Sequence, residues 1–453
     1  LSVPHLRELP GRRDLLALAL AQPARYPGLL ESVAAGTRQA RYDVLFAFPQ
    51  ATVELGADGV VRDQSGATLE GRFLDILDAA FAAQRSEHSA HVSDLPFHGG
   101  WLIYLAYELA EQIEPRLYLP QSRPHQPVAL AVRCPAAIIV DHAMDRTLLV
   151  AEEGHAALLE ALQQDLEQCS APSFAALVVQ QIEEDDPQRF VNGVLRTQEY
   201  LRAGDVFQAN ISREWRITLS SPIAPASIYA ALRNANPAPF AGLLQWRNWA
   251  IASSSPERLV EVRGDHVQTR PIAGTRPRAA GDEDASRIRE LIGHPKERAE
   301  HVMLIDLERN DLGRICVPGS VEVDELMGIE SYAHVHHIVS NVRGMRRQGV
   351  TPGETIRAVF PGGTITGCPK VRCMEIIAEL EESPRGAYTG SLGYLDRNGN
   401  LDLNILIRTL TIDGAEIRLR AGAGIVIDSQ PEAELAETRA KARGLLRAFR
   451  VDG

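Results

Sequence analysis

The chain is poor in cysteine. Its five cysteines among 453 residues (Cys134, Cys169, Cys316, Cys368 and Cys373) are irregularly spaced and include no Cys-x-x-Cys pair, which argues against a disulfide framework and against zinc or dithiol redox chemistry. A reducing cytoplasm fits that usage. Basic charge is also short: 47 Lys and Arg against 59 Asp and Glu leave a net charge of −12, which disfavours non-specific attraction to nucleic acid or to an anionic membrane. No apolar run approaches the ~18 residues needed to cross a bilayer. Arg12-Arg13-Asp14 followed by Leu15 to Ala21 is short for a secretory signal, lies inside the chain and lacks a clean small-x-small cleavage site. There is no low-complexity tract and no repeat of fixed period, so a solenoid or propeller is disfavoured. What remains, 45% hydrophobic and 23% charged residues, is an ordinary globular composition able to bury a large core.

Periodicity divides the chain coarsely into residues 1–175, strand-rich with a few helices, and residues 176–453, the two intertwined into one large fold. Val44 to Phe48 and Ala136 to Val140 read as short strands, Arg72 to Ala83 as a helix and Pro120 to Pro127 as a loop. Glu183-Glu184-Asp185-Asp186 before Pro187 reads as a helix start, where negative charge suits the dipole. Beyond it helices and strands alternate without an even βαβ rhythm, which predicts α+β.

Three clusters could carry chemistry. Ser255-Pro256-Glu257-Arg258 and Pro271-Ile272-Ala273-Gly274-Thr275-Arg276-Pro277-Arg278 are Pro-bounded turns that fix the backbone. Glu257 could be a positioned general acid or a turn carboxylate paired with Arg258, and spacing alone favours the ion pair. Gly274-Thr275 could lend N–H groups to an anion or form a plain turn. In Lys296 to Gly313, apolar Val302, Ile305 and Leu307 suggest a helix with Glu297 and Glu300 on one face. After the Gly-rich strand Ala421 to Val426, Glu434, Glu437 and Lys441 stand at i, i+3 and i+7 of another helix. Carboxylates from two helices suit Mg²⁺, completed by water and an anionic substrate, but an exposed salt-bridged helix reads the same way. Phe360 to Lys370 is Gly-rich with hydroxyls yet lacks the phosphate-loop order, so nucleotide binding is not supported. His334, His336 and His337 have apolar neighbours and suit hydrogen bonding at least as well as metal.

Taken together, and in this order, Ser255–Arg258, Pro271–Arg278, Asp306–Arg314, Thr366–Arg372, Ile407-Arg408-Thr409 and Ala421–Gly424 resemble the chorismate-utilising enzymes. The family includes anthranilate, aminodeoxychorismate, isochorismate and salicylate synthases. The resemblance spans essentially the whole chain and implies a large α+β sandwich of antiparallel β-sheets with helices packed outside. Water-using members carry a lysine base where this chain has Gln208; a glutamine cannot act as a base near neutral pH, whereas ammonia needs only positioning. Asn210, Ala238-Pro239-Phe240, Val335 to Ser340 and Gly362 to Gly367 resemble the aminodeoxychorismate branch, component I. Ala273 is the anthranilate-like choice where many aminodeoxychorismate synthases have a lysine proposed to attack C2. Leu29-Leu30-Glu31-Ser32 resembles the family's tryptophan pocket.

By that resemblance Glu257 is the general acid, His337 lies near the leaving group, and Gln208 and Thr364 position nucleophile and ring. Glu300 and Glu437, with Glu434 beside them, hold Mg²⁺. Arg408 and Lys441 bind carboxylates or steady the metal glutamates, and Gly274, Thr275, Gly422, Ala423 and Gly424 give close backbone contacts. The substrates implied are chorismate and ammonia, with a separate glutaminase subunit as partner, tryptophan bound at Ser32, and neither nucleic acid nor membrane. Two alternatives stand beside amination at C4: an anthranilate synthase component I, and a non-catalytic tryptophan-binding partner of a glutaminase.

Overall fold

The computed structural model describes residues 4–34, 41–85, 95–277, 286, 289, 295–331 and 335–450. Two twelve-stranded antiparallel sheets lie face to face. The first runs His5–Pro10, Arg146–Ala151, Ala136–Asp141, Tyr42–Ala47, Gly28–Glu31, Phe240–Trp246, Trp249–Ser255, Thr409–Asp413, Glu416–Ile425, Gln208–Leu219 and Val179–Glu184, with Gly367–Cys368 pairing at Gln208. The second runs Ile272–Pro277, Val335–Met345, His266–Thr269, Arg258–Arg263, Leu401–Asn404, Ser391–Asp396, Gly100–Leu105, Ala129–Cys134, Ala51–Leu55, Val61–Asp63 and Thr68–Leu69, with Glu322–Ser331 on Val335–Met345. The α+β sandwich expected from the resemblance is the fold observed.

Strand alternation builds the layers. Val44, Phe46, Ala137 and Ile139 point inward and meet Leu102, Tyr104, Leu130, Val132 and Tyr394 of the facing sheet. Their neighbours Leu45, Ile138 and Val140 point outward under the helices Leu16–Ala21, Ala157–Gln168 and Pro225–Ala235. Both faces are covered, so Ala136–Asp141 is buried at every position. The second sheet is capped by Phe73–Gln84, Pro295–Gly313 and Pro352–Val359.

Local expectations held with shifts of a residue or two. The helix expected at Arg72 to Ala83 runs Phe73–Gln84, and the strand expected at Val44 to Phe48 ends at Ala47, where Phe48 turns to φ +58°. Of the acidic run only Asp186 serves the helix Pro187–Ala203, accepting from Gln188 N at 3.0 Å, whereas Glu183 and Glu184 end a strand. Leu15 to Ala19 are buried in the core. Among the described residues no helix is long and apolar enough to cross a membrane.

Candidate active site

Glu257 sits where the chain crosses from one sheet to the other, between Trp249–Ser255 and Arg258–Arg263. Ser255 fixes the crossing: its Oγ donates to Ile405 O at 2.5 Å and accepts from Glu257 N at 3.2 Å, while Ile405 N donates to Glu257 O at 3.0 Å. The ion pair favoured by spacing does not form. Arg258 turns to the opposite side, bonds Asp402 at 2.9 and 3.0 Å and lies over the Phe240 ring. Glu257 is therefore left 5% exposed without a cation, and burial pushes its carboxyl up to about 7. Thr364 and the Ile272 amide oppose that rise, yet neither Glu257 Oε1 nor Thr364 Oγ1 completes a hydrogen bond within the protein.

Gln208 comes from a separate local device. Gly204, at φ +80°, ends the Pro187–Ala203 helix, and the strand Gln208–Leu219 starts four residues later. Its backbone is pinned by Cys373 Sγ, which donates to Gln208 O at 3.0 Å, and by Asn210 N, which donates to Thr366 O at 2.9 Å. The side chain lies across Gly424, where any Cβ would displace it. Gly422 is similarly constrained: a Cβ there would stand 2.6 Å from Tyr388 Oη and 2.8 Å from Asn210 Oδ1. Ala423, between them, faces the other way into the core with Ile211, Val191 and Leu435. Gln208 Oε1 and Asn210 Oδ1 are both buried without a partner. More than nine in ten buried polar groups are satisfied in folded proteins, so these orphans mark surface shaped for a ligand.

His337 and Arg408 stand close enough to interact. Burial, then the positive charge of Arg408, hold His337 down to about 4, with the Gly274 backbone pulling the other way, so the imidazole is neutral at pH 7. Gly274 adopts φ +65° at a bulge where register shifts between Ala273 and Thr275, a conformation that favours glycine. Arg408 itself has φ +54°, a strain of about 1–2 kcal/mol for a side-chain-bearing residue. Its carbonyl accepts from Ser254 N at 3.0 Å. Burial lowers its pKa, and among the described residues its guanidinium has no hydrogen bond or ion pair. Arg408 is half-buried, and a partly desolvated, unpaired guanidinium suits an anion that completes it.

The expected metal glutamates lie on two helices. Glu434 is half-buried and Glu437 exposed on Pro431–Leu446, and Glu300 is half-buried on Pro295–Gly313. Lys441 Nζ contacts Glu437 Oε1 at 2.7 Å and donates to Gly422 O at 2.8 Å, tying this helix to the glycine strand. Carboxylate oxygens are the donor type Mg²⁺ takes. Among the described residues no three Asp, Glu, His or Cys side chains converge to hold a metal. His334, Arg278 and the side chains of Ala273, Thr275 and Glu297 lie outside the described residues.

Ser32 belongs elsewhere, in a cavity of about 940 Å³ between the sheets. Its N–H donates to Asp43 Oδ1 at 2.9 Å and its hydroxyl to Tyr42 O at 3.2 Å. Glu31, Arg258, Arg263, Arg270 and Tyr394 line the same space. Sequence reasoning missed a buried polar face on Pro295–Gly313: His301, Glu308 and Asp311 point inward with Leu304, Ile305 and Leu312, while Val302, taken as apolar seam, is exposed. It also missed the contact of Lys370 Nζ with Asp311 Oδ2 at 2.5 Å. Both residues lay in quoted motifs, but nothing in either motif says they meet.

The model for chorismate binding enzymes matches residues 34–447. The chain belongs to that family. An "Anthranilate synthase component I-like protein" of Synechocystis sp. is 44% identical over 362 residues, covering 78% of this chain and 73% of that one. The aminodeoxychorismate synthase component 1 of Bacillus subtilis is 39% identical over 469 residues, covering 99% and 97%. The crystal structure of anthranilate synthase component I from Streptococcus pneumoniae superposes with a TM-score of 0.80 at 30% identity, covering 90% of this chain and 93% of that one. This chorismate binding enzyme thus resembles members named for two different products.

Proposed function

We propose that this chorismate binding enzyme is component I of an aminodeoxychorismate synthase, converting chorismate and ammonia to 4-amino-4-deoxychorismate and water. The observation that carries this reading is Glu257 itself, a buried acid without a cation raised to about 7, supported by the unpartnered amide oxygen of Gln208 and the unpaired Arg408. Arg408 takes a substrate carboxylate, and the Gly422 and Gly424 strand lets the ring approach main chain. Gln208 positions ammonia. Protonated Glu257 gives its proton to the 4-hydroxyl as the C–O bond breaks and the C–N bond forms, and the incoming nitrogen loses one proton, restoring the balance. His337, neutral, lies beside the leaving group, and Thr364 lines the ring.

Glu300 and Glu437, with Glu434 beside them, would hold Mg²⁺, which would supply positive charge to the anionic substrate. Lys441 keeps Glu437 in place. Most ammonia is ammonium at neutral pH, so a glutaminase subunit delivers it. Ser32 and its cavity take tryptophan. Ala273 favours a second reading, amination at C2 to anthranilate, because it stands where many C4-aminating relatives have lysine.

The test is product identity. Purified chain is incubated with chorismate, Mg²⁺ and concentrated ammonia at alkaline pH, with and without an added aminodeoxychorismate lyase. Lyase-dependent p-aminobenzoate is the expected result. Anthranilate formed without lyase would move the assignment to C2, and no turnover at all would favour a non-catalytic tryptophan-binding role.

A further inference from the structure

We propose that Arg385 is a positioning residue of this site: its guanidinium fixes the distance between the strand that carries Gln208 and the loop that carries Thr364, and so where ammonia stands. The inference rests on the amination reading above. Arg385 is 4% exposed, and each of its five N–H groups has an acceptor. Nε and Nη2 donate to the Glu381 carboxylate at 3.0 and 2.6 Å. Nη2 also donates to Asn210 O at 2.6 Å, on the Gln208–Leu219 strand, and Nη1 donates to Ile365 O at 3.2 Å, the residue after Thr364. The remaining bond runs from Nη1 to Thr389 Oγ1 at 3.3 Å. One planar fork thus holds main-chain oxygens of both segments, the geometry for which a guanidinium is suited.

The two segments also touch directly: Asn210 N donates to Thr366 O at 2.9 Å, and Gln208 pairs with Cys368. Arg385 braces that seam, and Glu381 keeps the brace in place. Glu381 accepts from Ser212 N at 2.7 Å and Ser212 Oγ at 2.9 Å, two residues beyond Asn210 on the same strand, and from Arg420 at 2.8 Å. Burial opposes the charge of Arg385, yet the Glu381 carboxylate outweighs that and holds the guanidinium pKa above its ordinary value. The rings of Tyr107 and Tyr388 lie 4.9 and 5.5 Å from the guanidinium carbon. Arg408 hangs on a different contact, its carbonyl accepting from Ser254 N at 3.0 Å, so the anion site and the braced seam are separable. A lysine at 385 would keep the charge beside Glu381, but its three donors sit on one atom and cannot hold both carbonyls in one fixed plane.

Rates are measured against ammonia concentration, at saturating chorismate with Mg²⁺ and one alkaline pH, for the wild-type chain, Arg385→Lys, Gln208→Ala and the double variant. Arg385→Lys is expected to lower kcat/KM for ammonia about 10- to 100-fold, because rate falls steeply as reactants are misplaced, while the Kd for chorismate changes less than about twofold. In the Gln208→Ala background the same substitution should lower it less than about threefold further, since both changes act on the placing of ammonia. Equal losses in the two backgrounds, a chorismate Kd that moves with kcat/KM, or an Arg385→Lys chain that does not fold would each mark a merely structural role and overturn the proposal. A second arm needs no turnover: amide hydrogen exchange in the wild-type and Arg385→Lys proteins. Exchange should quicken about tenfold in residues 208–212 and 362–368 together and stay unchanged in Ala136–Asp141. Quickening everywhere, or in neither segment, would overturn the proposal. If the paired change appears in a protein that turns over no chorismate, the amination reading falls while the bracing of the two segments stands.

Discussion

Two internal regions lie back to back across Glu257 and Arg258, and they treat charge in opposite ways. In the cavity around Ser32, Arg258 is paired with Asp402 and Glu261, Arg263 with Glu261, and Arg270 with Glu325 and Glu330. In the region around Glu257, the carboxyl, the amide oxygens of Gln208 and Asn210, the Thr364 hydroxyl and the Arg408 guanidinium are left incomplete. The crossing between the two sheets produces the contrast, because it leaves Glu257 on one side and sends Arg258 to the other. A region whose charges are already neutralised is a structural lattice that a ligand can enter. A region held unsatisfied stores free energy that only a ligand releases.

The comparison can be broken from either side. Glu257→Gln should have the largest effect, a loss in kcat of roughly 100- to 10,000-fold with chorismate binding retained, read by steady-state kinetics. Its stability should move the other way. Burial raises the Glu257 pKa from 4.5 to about 7, so the folded state keeps a proton that the unfolded chain loses, and stability falls as pH rises through that window. Gln removes the penalty, so the gain in Tm should be greater at pH 8 than at pH 5. Arg258→Met, one residue away, should cost about 3–5 kcal/mol in denaturant unfolding, because it strands Asp402 and Glu261. Arg408→Gln should raise KM for chorismate about 10- to 100-fold, the worth of a hydrogen bond to a charged group, while raising Tm of the free protein. Ser32→Ala should be the mildest, about 1 kcal/mol for one hydroxyl bond, with kcat unaltered and any tryptophan affinity lowered in calorimetric titration.

Regular elements were legible where one face is apolar and the period is clear, as in Phe73–Gln84, or where a run is buried on both faces, as in Ala136–Asp141. The sheet order was not, since it pairs Ala241 with Glu31 and Leu395 with Trp101 across hundreds of residues. At the site, Glu257 and Arg408 were legible as parts of motifs, and the structure adds why they are unpaired. Spacing misjudged Glu257 because the crossing between sheets sends Arg258 to the other side. Glu308 and Asp311 escaped because a buried polar helix face reads in sequence as a solvated one, and only the contact with Lys370 and Gly363 distinguishes them.

The most direct measurement is a crystal structure of Glu257→Gln soaked with chorismate and Mg²⁺, the variant being chosen to stop turnover. The expected difference density lies against Arg408, Gln208 and the Gly422–Gly424 strand, with the ring's 4-hydroxyl facing residue 257. Chorismate found instead in the Ser32 cavity, with Arg408 still unpaired, would contradict the account.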